Sequence, residues 1–193
     1  MSIPAKDQAS RFLAPLKGTL TLMLLHDIHA RLPTSRFLLS SARSMALRTS
    51  VLDTDAYYCA NIDSFAAEAQ SITGGLFLLS GDEVEASSLI PLLSSTTEML
   101  VVDDLNSLYS LASDGRKLHQ LAIMMRLLSH NAKLNGSWVI ATAYKTEGAK
   151  RDDANRRSLT SFADKVIEVE TRQGSLRLKT GIKGMWPDDE LNV

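Results

Sequence analysis

A single cysteine, Cys59, stands in 193 residues. It excludes an internal disulfide framework and any cysteine-built metal cluster. It also fits a reducing, intracellular setting, with the cytoplasm as the expected compartment. Long apolar runs are missing too. The longest near the start, residues 20–25, is far short of the ~20 residues a membrane helix needs. It lacks the flanks of a signal peptide, so no membrane partner is expected. A strong excess of one charge is absent: the formal net charge is −1, which gives no global pull toward nucleic acid or an acidic membrane. There is no internal repeat and no low-complexity segment. What remains is ordinary globular composition, 45% hydrophobic and 22% charged. At this length it suits one domain, residues 1–193, with a sizeable core.

The charge is unevenly placed. Residues 143–183 carry ten Lys/Arg against six Asp/Glu, while the last ten carry Asp188, Asp189 and Glu190 and no basic residue. The chain therefore reads as a polar lead-in (1–17, with Pro4 and Pro15), a core, a basic loop (143–158) and an acidic tail (184–193).

The core is organised around residues 99–104, MLVVDD. Four apolar residues ending in two carboxylates predict a strand buried on both faces. Asp103 and Asp104 then lie at its carboxyl end, the edge of an open α/β sheet where ligands bind. The same pattern also serves simply to solvate a strand end.

Other strands are expected at 18–25, 49–54, 76–79 and 138–141. A helix capped by Thr34 or Ser35 follows the first, with Phe37, Leu38, Ser41, Ala42, Met45 and Ala46 on one face. Helices are expected at 62–71, with Phe65, Ala66 and Ala69 inward, and at 83–93. The longest periodic stretch, 114–134, places Leu118, Leu121, Ala122, Met125, Leu128 and Leu134 at helical spacing, closed by Asn135-Gly136. Alternating strands and helices imply a mostly parallel sheet with helices on both faces. Residues 165–169 and 175–179 alternate as half-exposed strands, joined at Gln173-Gly174 into an antiparallel hairpin.

This order resembles the ATPase core of the RecA/RadA recombinase family. The residues that carry the resemblance are LVVDD, LNSLYS, ASDGRK, LHQLAIMMRLLSHNAKLNG and SWVIATAY, within 99–144. The fold class it implies is α/β, a RecA-like P-loop NTPase-type core with a C-terminal hairpin. In the family a mobile DNA-binding loop follows the last of these strands and a hairpin follows the loop. Here the loop is KTEGAKRDDANRRS and the hairpin KVIEVETRQGSLRLK. By that resemblance Lys145, Lys150, Arg151, Arg156 and Arg157 are candidate DNA contacts, extended by Lys179 and Lys183 and also by Arg116 and Lys117. Lys and Arg on such a loop follow a phosphate backbone and release counterions. Asp103 and Asp104 take the Walker-B position, where an acid holds Mg²⁺.

The phosphate loop is where the chain departs. A P-loop needs glycines so that backbone N–H groups cradle phosphates, and a Lys to reach them. Residues 26–35, HDIHARLPTS, hold neither. Pro33 removes an N–H donor, and Asp27 would set a negative charge beside a triphosphate. No cofactor, no tight ATP binding and no hydrolysis are therefore expected, and Asp103 and Asp104 read as vestigial. Asp53 and Asp55 read as strand-end and turn residues. His26 and His29 have a spacing that can bind metal, but no Cys or further His lies nearby, and no metal is expected. Cys59 reads as a buried or half-buried thiol, and Trp186-Pro187 as an interface anchor.

The expectation is a non-catalytic RecA/RadA paralogue, archaeal by resemblance. It binds DNA without ATP, single-stranded first and double-stranded as a further option, and assists homologous recombination and repair. Its expected protein partners are a recombinase, another RecA-like protein or a second copy of itself. An alternative is a pseudo-ATPase scaffold subunit, similar to Elongator accessory or KaiC-like proteins, binding protein or RNA. A third is an ATPase with an unusual phosphate site built on Arg31 and Ser35.

Overall fold

The computed structural model describes residues 5–78, 97–111, 115–145, 160–172, 175–181 and 190–193. The strands are β1 (Thr19–Leu25), β2 (Thr49–Asp53), β3 (Gly75–Leu78), β4 (Met99–Asp103), β5 (Trp138–Tyr144), β6 (Lys165–Arg172), β7 (Ser175–Thr180) and β8 (Glu190–Asn192). The helices are α1 (Ala5–Leu13), α2 (Arg31–Ser44), α3 (Tyr57–Ala60), α4 (Ala66–Ala69), α5 (Leu105–Leu111) and α6 (Gly115–Asn135). All eight strands join one sheet in the order β3-β2-β4-β5-β1-β6-β7-β8. β7 runs antiparallel to β6 and to β8, and the other pairs are parallel. The chain is thus α/β, with a mostly parallel sheet, helices on both faces and a C-terminal antiparallel hairpin.

Side chains alternate across a strand, and this divides the core in two. Met23, Leu25, Val51, Met99, Val101, Ile140, Ile167 and Val169 face α1 and α2. Leu20, Leu22, Leu24, Leu52, Leu100, Val102, Val139 and Ala141 face α5 and α6. β1, β2, β4 and β5 are buried almost throughout, as strands covered on both faces must be. α6 packs Leu121, Met124, Met125, Leu128 and Ala132 inward, and a fully buried Leu or Met stabilises by roughly 1.5–3 kcal/mol. Gly136, at φ +62°, ends it. Among the described residues, no helix is long and apolar enough to cross a membrane.

Several expectations need correction. The lead-in is a helix: Ala9, Phe12, Leu13 and Leu16 are buried, and the Phe12 ring meets Phe37 edge-on at 4.8 Å. Apolar spacing of three and four was present there, between two prolines that masked it. α2 starts at Arg31, so Thr34 and Ser35 lie inside it and are buried. Thr34 donates back to the Ala30 carbonyl at 2.6 Å instead of capping. Pro33 sits in the first turn, where its missing N–H costs no helical bond. The expected 62–71 helix is a 3₁₀ turn (Ile62–Phe65) followed by the short α4, with Ala66 exposed. β3 is an edge strand, half-exposed rather than buried. Leu118 and Leu134 of α6 face solvent at 38% and 71% exposure. Cys59 is exposed. The tail is not merely acidic: β8 pairs with β7, and Val193 and Leu176 exchange two backbone hydrogen bonds. The expected 83–93 helix, the Gln173-Gly174 turn, Trp186 and most of the basic loop lie outside the described residues.

Candidate functional site

β2 and β4 are neighbours, yet their connections leave on opposite faces. β2 leads to Tyr58 and Phe65 on the α2 side, and β4 leads to α5 and α6 on the other. Such a point opens a crevice at the carboxyl ends of the strands. Asp103 ends β4 on the face of Met99 and Val101, the face that α2 covers. Thr142 of β5 and Asp53 of β2 end on that face too, beside Ile140 and Val51.

Arg31, the first residue of α2, fills this crevice. Its side chain is 6% exposed and that of Asp103 is 0%. Nε and Nη2 of Arg31 donate to Asp103 Oδ2 at 3.1 and 3.0 Å. Nη1 and Nη2 donate to Asp55 at 2.7 and 2.6 Å. The guanidinium plane lies over the Tyr57 ring, 3.8 Å from its centroid, a cation–π contact. Thr142 donates its hydroxyl to the remaining Asp103 oxygen. Burial works against the Arg31 charge, but Asp55 and Asp103 outweigh it and hold the pKa above its ordinary value. Burial pushes Asp103 up to about 6, with Arg31 and Thr142 pulling it down. Burial likewise pushes the Tyr144 hydroxyl up to about 12.

The other acids of the crevice are engaged in holding backbone. Asp53 accepts the N–H groups of Tyr57, Tyr58 and Cys59 at 2.8, 2.9 and 3.3 Å, capping α3. Asp104 accepts from the Asn106 N–H at 2.8 Å and from the Ser107 hydroxyl at 3.2 Å, capping α5. Its own N–H donates to Thr54 Oγ1 at 2.8 Å, and the Asp103-Asp104 peptide is cis. Asp27 accepts from the Ala30 N–H at 3.0 Å. It caps the 3₁₀ turn Ile28–Ala30. A helix entrance is a natural anion site; here the chain's own carboxylate sits on it. Chemically, the crevice holds one internal cation and the carboxylates that answer it. Asp103 has both oxygens committed, so a magnesium ion at this acid would have to displace Arg31.

Next to the crevice, the end of β1 meets β6. His26 Nε2 lies 3.0 Å from Glu168 and Nδ1 lies 3.6 Å from Glu170. Lys145 bonds Glu168 at 3.2 Å and Lys179 bonds Glu170 at 2.7 Å. His26, Glu168 and Glu170 form a possible ligand triad, but two ammonium groups already neutralise its carboxylates. Burial works against the Glu168 charge, and hydrogen bonds from His26 and Lys145 outweigh it; Lys179 holds Glu170 down directly. His29 takes no part in this cluster.

Of the sequence-derived DNA candidates, Lys145 and Lys179 therefore sit in one ion-pair network. Lys150, Arg151, Arg156, Arg157 and Lys183 lie outside the described residues. Sequence reasoning placed Arg31 only in an unusual phosphate site with Ser35, and did not see it as the centre of the crevice, paired with Asp103 and Asp55. Its one signal was a lone cation placed between the first strand and a helix, in a chain with two acid-ended strands. No family model matches this chain, and no curated protein is significantly similar to it.

Proposed function

We propose that this chain is a non-catalytic, RecA/RadA-like core that binds single-stranded DNA without ATP and assists recombination or repair. The observation that carries the non-catalytic half is the Arg31–Asp103 contact, two hydrogen bonds at 3.1 and 3.0 Å. A P-loop ATPase keeps that acid for magnesium; here a guanidinium, buried and tied also to Asp55, stands in the metal's place. Asp27 on the Ala30 N–H has the same sense at the phosphate end. Support for the RecA-like half is the order of elements: an acid-ended β4 beside β5, β5 beside β1, and a hairpin beyond. Support for DNA is the basic excess of residues 143–183.

Fluorescence anisotropy of a labelled single-stranded oligonucleotide tests this, with and without ATP and at two salt concentrations. The expected result is binding that weakens with salt and ignores ATP, together with no ATP turnover. ATP turnover that is abolished by Asp103→Ala would overturn the non-catalytic reading, and no binding at low salt would overturn the DNA reading.

One observation favours a scaffold reading instead. Ile123, Leu127 and Leu134 of α6 are exposed at 44%, 45% and 71% and share one helix face, as a protein-binding stripe would. Capture of a protein partner that Leu127→Asp abolishes, with DNA binding absent, would select that reading.

A further inference from the structure

α6 spans 21 residues and carries Arg116, Lys117, Arg126 and Lys133, with no Asp or Glu anywhere along it. At about 100° per residue, His119, Arg126, His130 and Lys133 fall within roughly 60° of its circumference. This stripe borders a cleft of about 370 Å³ between α6 and the turn before β6, lined by Arg126, Ser129, His130, Lys133, Ser161 and Asp164.

The charges of the cleft are unequally used. Its one carboxylate, Asp164, is tied down three ways. It accepts from the Leu20 N–H at 2.9 Å and the Ser129 hydroxyl at 2.8 Å, and it pairs with Lys133 at 2.5 Å. Lys133 is thereby neutralised. Arg126 and His130 are exposed, and no side-chain hydrogen bond or ion pair joins either to another described residue. They lie four residues apart, about 6 Å along the axis, so both can engage neighbouring phosphates of one strand. The cleft lies at the amino-terminal edge of the sheet, beside Leu20 at the start of β1. This is the edge opposite the Arg31 crevice. In sequence, residues 143–158 lie between its two sides: Arg126 to Lys133 precede them and Ser161 to Asp164 follow.

We propose that this cleft is a phosphate site for a polynucleotide backbone, with Arg126 and His130 as its donors. The proposal rests on the nucleic-acid reading above and deepens it. Arg supplies a forked donor suited to phosphate oxygens, and a helix free of acids sets no repulsion along the track. Contacts of this kind position a strand without reading its sequence.

The test is anisotropy with a labelled single-stranded oligonucleotide on the full chain. It compares wild type, Arg126→Gln/His130→Gln, and a control on the other face of the sheet, Arg11→Gln, which removes one formal positive charge as the double variant does with its histidine neutral. All substituted positions are solvent-exposed, and circular dichroism checks each fold. The double variant is expected to bind about tenfold more weakly, a drop of about 1.4 kcal/mol. Its slope of log K against log salt should fall by about 0.7 for each phosphate no longer neutralised, while the control stays near wild type. Unchanged affinity and slope in the cleft variant, with wild type binding, overturns the cleft and leaves the DNA reading standing. Equal weakening in the control overturns it as well, because net charge alone then accounts for the effect. Failure of wild type to bind at low salt overturns both.

Discussion

Arg31 donates from both Nε and Nη2 to a single oxygen of Asp103, at 3.1 and 3.0 Å, across 72 positions of sequence. The pair joins the start of α2 to the end of β4 where neither side chain reaches bulk water. Its consequences for stability follow from that burial. Removing one partner of a buried pair leaves the other charged and uncompensated, which costs about 3–5 kcal/mol. Arg31→Met is therefore expected to destabilise by that amount in urea denaturation. Asp103→Asn should cost less, because Arg31 keeps Asp55. The double variant Arg31→Met/Asp103→Asn should be more stable than the sum of the two single effects implies. Strict additivity would mean that the pair is not formed in solution.

This pair also marks what was legible beforehand. The buried strands at 99–103 and 138–141, the long helix, its Gly136 stop and the hairpin all follow from short-range pattern. Period-two and period-3.6 apolar spacing, a left-handed glycine and alternation are local properties. The fate of Asp103 was not legible, because it depends on Arg31, on Asp55 and on a sheet order that sets β4 against β2. The missing P-loop was visible as missing glycine and lysine, but nothing in HDIHARLPTS said that its arginine turns inward. α1 was hidden because its short apolar set lies between Pro4 and Pro15. Thr34 and Ser35 looked like caps because their type favours that role. The true cap, Asp27, precedes a 3₁₀ turn that apolar spacing does not reveal.

The pH dependence of stability has two opposing parts. Asp103 has its pKa raised by burial from 3.8 to about 6. The folded state then binds its proton more tightly than the unfolded chain does, so this group's contribution falls as pH rises from 3.8 to about 6 and stays low above that. Glu168 and Glu170 are shifted downward. Their contribution is present above the ordinary carboxylate range and is lost as pH falls through their lowered values. Thermal unfolding followed over pH should show wild type losing stability relative to Asp103→Asn as pH rises through the Asp103 window. A constant difference between the two proteins would place the Asp103 proton elsewhere.

Gly74 sits where the chain turns into β3. A methyl group there would lie 3.0 Å from both the Thr49 carbonyl oxygen and Thr97 Oγ1, and against the Ser50 side chain. Ser50 and Thr97 already share a 2.6 Å hydrogen bond, and the Gly74 N–H donates to the Thr49 carbonyl at 2.7 Å. None of these groups is a flexible chain end. Gly74→Ala should therefore lower stability by about 1–3 kcal/mol, the usual cost of overpacking. A stability equal to wild type in chemical denaturation would show that β3 gives way without cost.

Asp164 joins three elements with one carboxylate: the Leu20 N–H at the start of β1, the Ser129 hydroxyl of α6, and Lys133. Burial works against its charge, but Lys133, the Leu20 N–H and Ser129 outweigh it and hold its pKa below the ordinary value. The stabilisation is thus present at neutral pH and is lost as pH falls through that lowered value. Leu20 and Ser129 are buried, so removing the acceptor leaves the Leu20 N–H without its bond at the edge of the sheet. Asp164→Ala should cost about 1–3 kcal/mol, the penalty for a buried donor left unsatisfied, with the Lys133 share reduced by solvent screening. Lys133→Met, which removes only the exposed partner, should cost well under that. Urea denaturation of the two variants separates the two effects. Equal destabilisation would assign the stabilisation to the ion pair instead of to the backbone anchor.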